Sequence, residues 1–186
     1  MTAPAGWPLP LPPAALRQPD GYTCGPTAVL VARMLADPAY AASLDAADVP
    51  GEVHRLHRAL TGLRGADGRR QVPWPRRLGT PPWAVARALS AGGVRHRTLL
   101  LRGRPEAAAR LLTAARSGPV PVYVGSRWLP RHVLVTVGVG DEAPDPVLLV
   151  HDPARGSVVP WPADDVRHGR APEGRWPRLW FAVLAR

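Results

Sequence analysis

The chain has 186 residues and a formal net charge of +10, and all 24 of its basic residues are arginine. That length suits one compact domain with a real core, and 46% hydrophobic with 20% charged residues fits a globular protein. No apolar run reaches the eighteen residues or so of a membrane span, and a single cysteine excludes an internal disulfide framework.

Residues 1–17, with five prolines, read as an extended Pro-rich lead-in that packs on the surface or frays. They have no basic stretch ahead of an apolar core, so they do not read as a signal peptide. A cytoplasmic location is expected, where a free thiol survives. From residue 18 to 186 a single domain is expected. The arginines are scattered and no basic–aromatic binding motif occurs. The +10 charge therefore reads as the mark of an Ala/Arg/Pro/Gly-rich composition, and no nucleic-acid partner is expected.

The stretch QPDGYTCGPTAVLVARML, Gln18 to Leu35, holds the only cysteine, Cys24. Pro26 suits a first helical turn, where its missing N–H would have no partner. Thr23 is an acceptable N-cap. Val29, Leu30 and Met34 recur at helical spacing, so a buried helix is predicted over about 25–36, ending near Asp37-Pro38. A second helical region is predicted from Ser43 to Leu63. Its His54 and His57 lie at i, i+3, but no further ligand completes a metal set, and they read as solvated. Arg64 to Thr80 has no periodicity and carries five arginines with Trp74. Two readings stay open there: a substrate-recognition flap that prefers acidic groups, or a solvated insertion.

Helices are predicted at Trp83–Ala91 and from Pro105 through Ala115, with a strand between them at Val94–Leu101. Strands follow at Val120–Val124, His132–Val139, Val147–His151, Ser157–Trp161 and Leu179–Leu184. In RHVLVTVGV the alternation puts Val133, Val135, Val137 and Val139 on one face and His132, Leu134 and Thr136 on the other. A loop from Gly140 to Pro146 joins that strand to the next. The layout is α+β: an N-terminal helical half packed on a C-terminal antiparallel sheet.

Cys24 at a helix start has chemical consequences. The free N–H groups and partial positive charge there favour a thiolate. The same N–H groups can hold the oxyanion formed when sulfur attacks a carbonyl, and the Gln18 amide offers a second donor.

The Gln-x5-Cys-Gly-Pro-Thr segment resembles the nucleophile segment of papain-like cysteine peptidases. It is most similar to the bacteriocin-processing, double-glycine leader peptidase family and its stand-alone relatives. That family has a histidine at the start of a later strand and an Asp-Pro after the next one. Here His132 in RHVLVTVGV and Asp152 in VLLVHDPARG match. The resemblance implies a papain-like fold with the nucleophile helix packed on the sheet. It also implies cleavage after small residues such as Gly-Gly, a peptide or protein substrate, and Cys24, His132, Asp152 and Gln18 as catalytic residues.

The hairpin geometry agrees. If Val139 faces Val147, Leu134 faces Asp152 and His132 lies diagonally across from it. A one-residue slip would put Asp152 on the wrong face, and His151 points away. His132 would then serve as base and acid, and Asp152 would orient its ring. The expected activity is a thiol hydrolase working through an acyl-enzyme on Cys24. An acyltransferase or cross-linking enzyme with the same triad, or a peptide-binding module that does not cut, remain as alternatives. No cofactor, no metal and no membrane association are expected. The oligomeric state is not legible in the sequence.

Overall fold

The computed structural model describes residues 7–140, 145–172 and 174–186. Residues 1–6 of the lead-in and 141–144 of the Gly140–Pro146 loop lie outside the described residues.

The helices are α1 (Cys24–Ala36), α2 (Pro38–Ala42), α3 (Val49–Thr61), α4 (Pro82–Ser90), α5 (Pro105–Ser117) and α6 (Ala163–Arg167). The strands are β1 (His96–Leu100), β2 (Pro121–Gly125), β3 (Pro130–Gly140), β4 (Val147–Asp152), β5 (Ser157–Pro162) and β6 (Arg178–Ala185). All six strands form one antiparallel sheet in the order β1-β6-β2-β3-β4-β5. The last strand therefore inserts between β1 and β2.

The α+β expectation holds, with one addition. Helices cover both faces of the sheet. On one face α1, α3 and α4 bury Val29, Leu30, Val53, Leu56 and Val85 against Tyr123, Val133, Val135 and Val183. On the other, α5 and α6 bury Leu111, Leu112 and Val166 against Val122, Leu134, Leu148, Val150 and Trp161. The sheet is the middle of three layers because alternate residues on its central strands are apolar on both sides.

Several boundaries differ from the sequence reading. Pro38 does not only end α1; it occupies the first turn of α2, and the Asp37 side chain caps that turn by accepting from Tyr40 N at 3.0 Å. The second helical region begins at Val49 rather than Ser43. Helix α6 was not predicted; at five residues it is too short to show periodicity.

The Arg64–Thr80 segment is tied down along its length. Arg64 and Arg70 form an isolated bridge. Gln71 Nε2 donates to Ala59 O and Gly62 O at 2.8 and 2.9 Å, Trp74 N donates to Thr61 O at 2.9 Å, and Arg87 Nε meets Asp67 Oδ2 at 2.8 Å. Trp74 also sits edge-on to Trp83. Its arginines other than these anchors point to solvent.

The described part of the lead-in belongs to the core rather than lying loosely on it. Leu16 is fully buried, Leu9 nearly so, and the Trp7 ring lies 5.6 Å from that of His151. Arg17 Nε donates to Ala154 O at 3.0 Å and Gln18 N to Pro153 O at 2.8 Å, so the lead-in is laced to the turn after β4. In that turn Gly156 has φ +62°, and a side chain there would press on Ala14 and Arg17 at about 3.1 Å. If the lead-in is part of the core, Leu16→Ala lowers stability by about 3 kcal/mol, the usual cost of an emptied leucine site. Urea denaturation of both proteins reads this directly; a loss under 1 kcal/mol would return the segment to the surface.

Candidate active site

Cys24 is the first residue of α1 and is 7% exposed. Thr23 stands at the N-cap position but does not cap: its side chain makes no bond to the helix. Asp20 claims it instead. Thr23 Oγ1 donates to Asp20 O and Oδ1 at 3.2 and 3.0 Å, and Asp20 Oδ1 also accepts from Tyr22 N at 2.8 Å. An aspartate that folds its own following backbone is a standard turn device. The first helical donation is Thr27 N to Thr23 O at 3.0 Å, and Pro26 has no N–H. The N–H groups of Cys24 and Gly25 therefore precede the helical ladder and face the open amino end, where an anion is stabilised.

Gly25 is required by close approach. A Cβ there would lie 2.7 Å from Thr80 Cβ and 2.9 Å from its Oγ1. Thr80 in turn is held by Tyr123, whose hydroxyl donates to Thr80 O at 2.9 Å. Burial, aided by the neighbouring Cys24 sulfur, pushes the Tyr123 phenol well above its ordinary range. It stays a neutral donor that props the first turn of α1 from beneath.

The other half of the site is the β3–β4 hairpin. Val135 pairs with His151 and Thr136 with Val150, so the next position in register sets Leu134 against Asp152, as expected. His132 lies one diagonal further on, and its Nε2 meets Asp152 Oδ1 at 2.7 Å. Both side chains are nearly enclosed, 10% and 4% exposed. The Cys24 sulfur lies close enough to the ring to favour its charged form. With Nε2 committed to the carboxylate, Nδ1 is the nitrogen left for sulfur.

The expected register fails nearer the hairpin tip. Val139 faces Leu148, not Val147, and Val147 faces Gly140. A bulge between Thr136 and Gly138 leaves Val137 unpaired and shifts the phase by one. Val133, Val135 and Val137 pack with the first core, but Val139 crosses to the second.

Asp152 is buried, which alone would raise its pKa. The hydrogen bond and charge of His132, the Ala154 N–H at 2.9 Å and nearby Arg155 outweigh this and hold it below the ordinary carboxylate range. For His132, burial disfavours the charged ring. The Asp152 hydrogen bond and the contact with Cys24 more than offset it, and the pKa rises to about 9.

Gln18 is brought to the same place. Its N–H is pinned to Pro153 O, and its Nε2 donates to Asp20 O at 2.6 Å. It bridges the turn that follows Asp152 and the turn that delivers Cys24. One of its two amide hydrogens is used there and the other remains. Its Oε1 is buried without a partner.

Other histidines stay out of this group. His151 is fully buried beside Trp7, its Nε2 faces Pro13 O at 3.4 Å, and burial lowers its pKa to about 4, so it is a neutral core residue. His57 departs from the solvated reading: it is buried, its Nε2 has no partner, and burial pushes its pKa down. His54 stays half in solvent, 3.8 Å from Asp20 Oδ2. Trp128 is 69% exposed in the turn ahead of His132. Among the described residues no three His, Cys, Asp or Glu side chains gather as a metal site requires. Also among them, no helix is long and apolar enough to cross a membrane. The sequence reading missed Asp20, Thr80 and Tyr123 as supports. Only Asp20 had a signal, the turn-forming Asp-Gly ahead of Tyr22-Thr23.

No family profile matches the chain, and no curated protein matches its sequence. Among solved structures it is similar to the peptidase domain of Streptococcus ComA, described as a bi-functional ABC transporter involved in a quorum-sensing pathway. That likeness has a TM-score of 0.48 at 16% identity and covers 91% of this chain and 96% of that one.

The raised His132 pKa has a defined linkage. Folding keeps the ring protonated above its unfolded value of 6.5, so its contribution to stability is complete below about pH 6.5 and is lost as pH rises through about 9. NMR of the imidazole should place its titration near 9 in the intact protein. Asp152→Asn and Cys24→Ala should each move it down by a unit or more. A titration near 6.5 that neither substitution shifts would separate His132 from both partners.

Proposed function

We propose that this chain is a papain-like thiol hydrolase that cleaves a peptide or amide bond through an acyl-enzyme on Cys24. The observation that carries the proposal is the Asp152 carboxylate bound to the His132 ring, with the ring's charge favoured by a sulfur at an uncapped helix start.

The roles follow from that contact. Cys24 Sγ attacks the carbonyl carbon after giving its proton to His132 Nδ1. The resulting oxyanion is held by the Cys24 N–H and the spare Gln18 amide hydrogen. His132 then returns the proton to the leaving amine, and the acyl thioester forms. Water, deprotonated by His132, attacks the thioester and releases the acid and the free thiol. Asp152 stabilises the imidazolium and fixes the ring so that Nδ1 faces sulfur. A peptide or protein substrate fits this chemistry, and a free thiol suits a reducing compartment such as cytoplasm.

Cleavage of a proteome-derived peptide mixture, read by mass spectrometry, tests the reading. Cys24→Ala should abolish cleavage. His132→Ala should reduce it by about a thousandfold or more, since it removes the proton carrier of both steps. Gln18→Ala should cost about a hundredfold in kcat, the usual loss for one oxyanion donor. Because the proton on His132 is needed to release the amine, kcat/KM should fall as pH rises through about 9. Undiminished cleavage in Cys24→Ala would remove the thiol mechanism. Exclusive transfer to added amine would assign the acyl group to an acceptor other than water.

A further inference from the structure

The two lateral edges of the sheet are built differently. Edge strand β5 carries Pro160 and Pro162, which place no N–H in its outward row. Edge strand β1 has no proline and no bulge, and it pairs only with β6.

The backbone phase of β1 is fixed at both ends. Arg186 N donates to Arg95 O at 2.8 Å, and Leu101 N donates to Trp180 O at 2.9 Å. Odd-numbered residues therefore bond to β6, and even-numbered ones turn their backbone groups outward. The His96 N–H is already taken by Ser90 Oγ at 2.8 Å. The C=O of His96 and both backbone groups of Thr98 and Leu100 remain, a row that would pair with an added strand.

The side chains bias what could add. The segment RHRTLLLRGR, residues 95–104, holds Arg95, Arg97, Arg102 and Arg104 and no acidic residue. Arg97 is exposed beside the open row. Pairing two copies through this strand would bring two arginine-rich segments without an acidic residue side by side, and gathering like charges disfavours that pairing. An extended strand rich in glutamate or aspartate meets the opposite condition.

We propose that the β1 edge docks an acidic, extended polypeptide segment, which adds as a seventh strand beside Thr98 and Leu100. Main-chain bonds supply the attachment and the arginines select the sequence. The edge also leads toward the catalytic end of the sheet. Just past β1, Arg102 donates to Arg127 O at 2.6 Å in the turn ahead of His132. A strand added outside β1 lies four strand spacings from β3, about 19 Å, so a chain continuing from it can reach the site while the docked segment itself stays outside.

The intact protein is titrated with an end-capped eight-residue peptide alternating glutamate and valine, and amide hydrogen exchange is read residue by residue by NMR. At saturation the Thr98 and Leu100 amides should exchange at least tenfold more slowly, and added salt should weaken the effect. The same peptide with arginine for glutamate should change them less than twofold. Thr98→Pro removes one outward donor and leaves the β6 ladder intact, so binding should weaken at least tenfold. Arg97→Glu keeps every backbone group and should weaken binding as well, which keeps the test decisive if the proline variant does not fold. Unchanged exchange at both amides would overturn the proposal. So would equal protection by the arginine peptide or by a single-stranded oligonucleotide. Protection that grows with protein concentration alone would overturn it too, by assigning the edge to a second copy.

Discussion

The 2.7 Å hydrogen bond between His132 Nε2 and Asp152 Oδ1 sets the chemistry of the site. It holds a ring and a carboxylate, both nearly out of solvent, in one geometry, and each favours the charged form of the other. It also decides which nitrogen faces Cys24. It offsets the same effect of burial that keeps His151 neutral on the neighbouring strand, and the nearby Cys24 adds to it. Two adjacent buried histidines thus take opposite states because one faces a carboxylate and the other faces the Pro13 carbonyl and the Trp7 ring.

That bond depends on strand phase. Near the hairpin tip Gly140 faces Val147, and if that phase ran on unbroken, Asp152 would come opposite Val135 rather than Leu134. Asp152 and His132 would then lie on different faces of the sheet. The unpaired Val137 absorbs one residue and restores the phase before the site is reached. Alternation lets β3 serve both cores, with Val135 packing toward α1 and Leu134 toward the layer of α5 and α6, and the bulge carries Val139 across to the second.

Much of this was legible in the chain. Helix α1, the strands and the α+β layout follow from apolar period and from Pro and Gly punctuation, and the diagonal between His132 and Asp152 follows from period 2. What escaped has physical reasons. The bulge leaves no mark in RHVLVTVGV, because valines at 133, 135, 137 and 139 satisfy unbroken alternation equally well. Thr23 looked like a cap because residue type cannot reveal that Asp20 competes for its hydroxyl. Residues 7–17 looked loose because prolines hide an apolar pattern, yet Leu9 and Leu16 are core residues. The burial of His57 under Gly79 depends on how the 64–80 segment folds back, a long-range fact that local sequence does not hold.

The supports of the sulfur come from every part of the chain, which bears on how the site survives marginal stability. Residues 17 and 18 clip to the turn after β4, Asp20 folds the turn into Cys24, Thr80 packs under Gly25, and Tyr123 of β2 holds Thr80. Gln18, Cys24, His132 and Asp152 cannot all be in place unless the lead-in, both ends of the 64–80 segment and the centre of the sheet are folded together. An uncapped helix start and a buried ion pair are costly in isolation. They persist here because the elements that create them also pack two hydrophobic cores. A substitution that loosens the lead-in would therefore disturb Gln18, the proposed oxyanion donor, before it unfolds the sheet, since Gln18 is held by that clip and the β3–β4 hairpin is not.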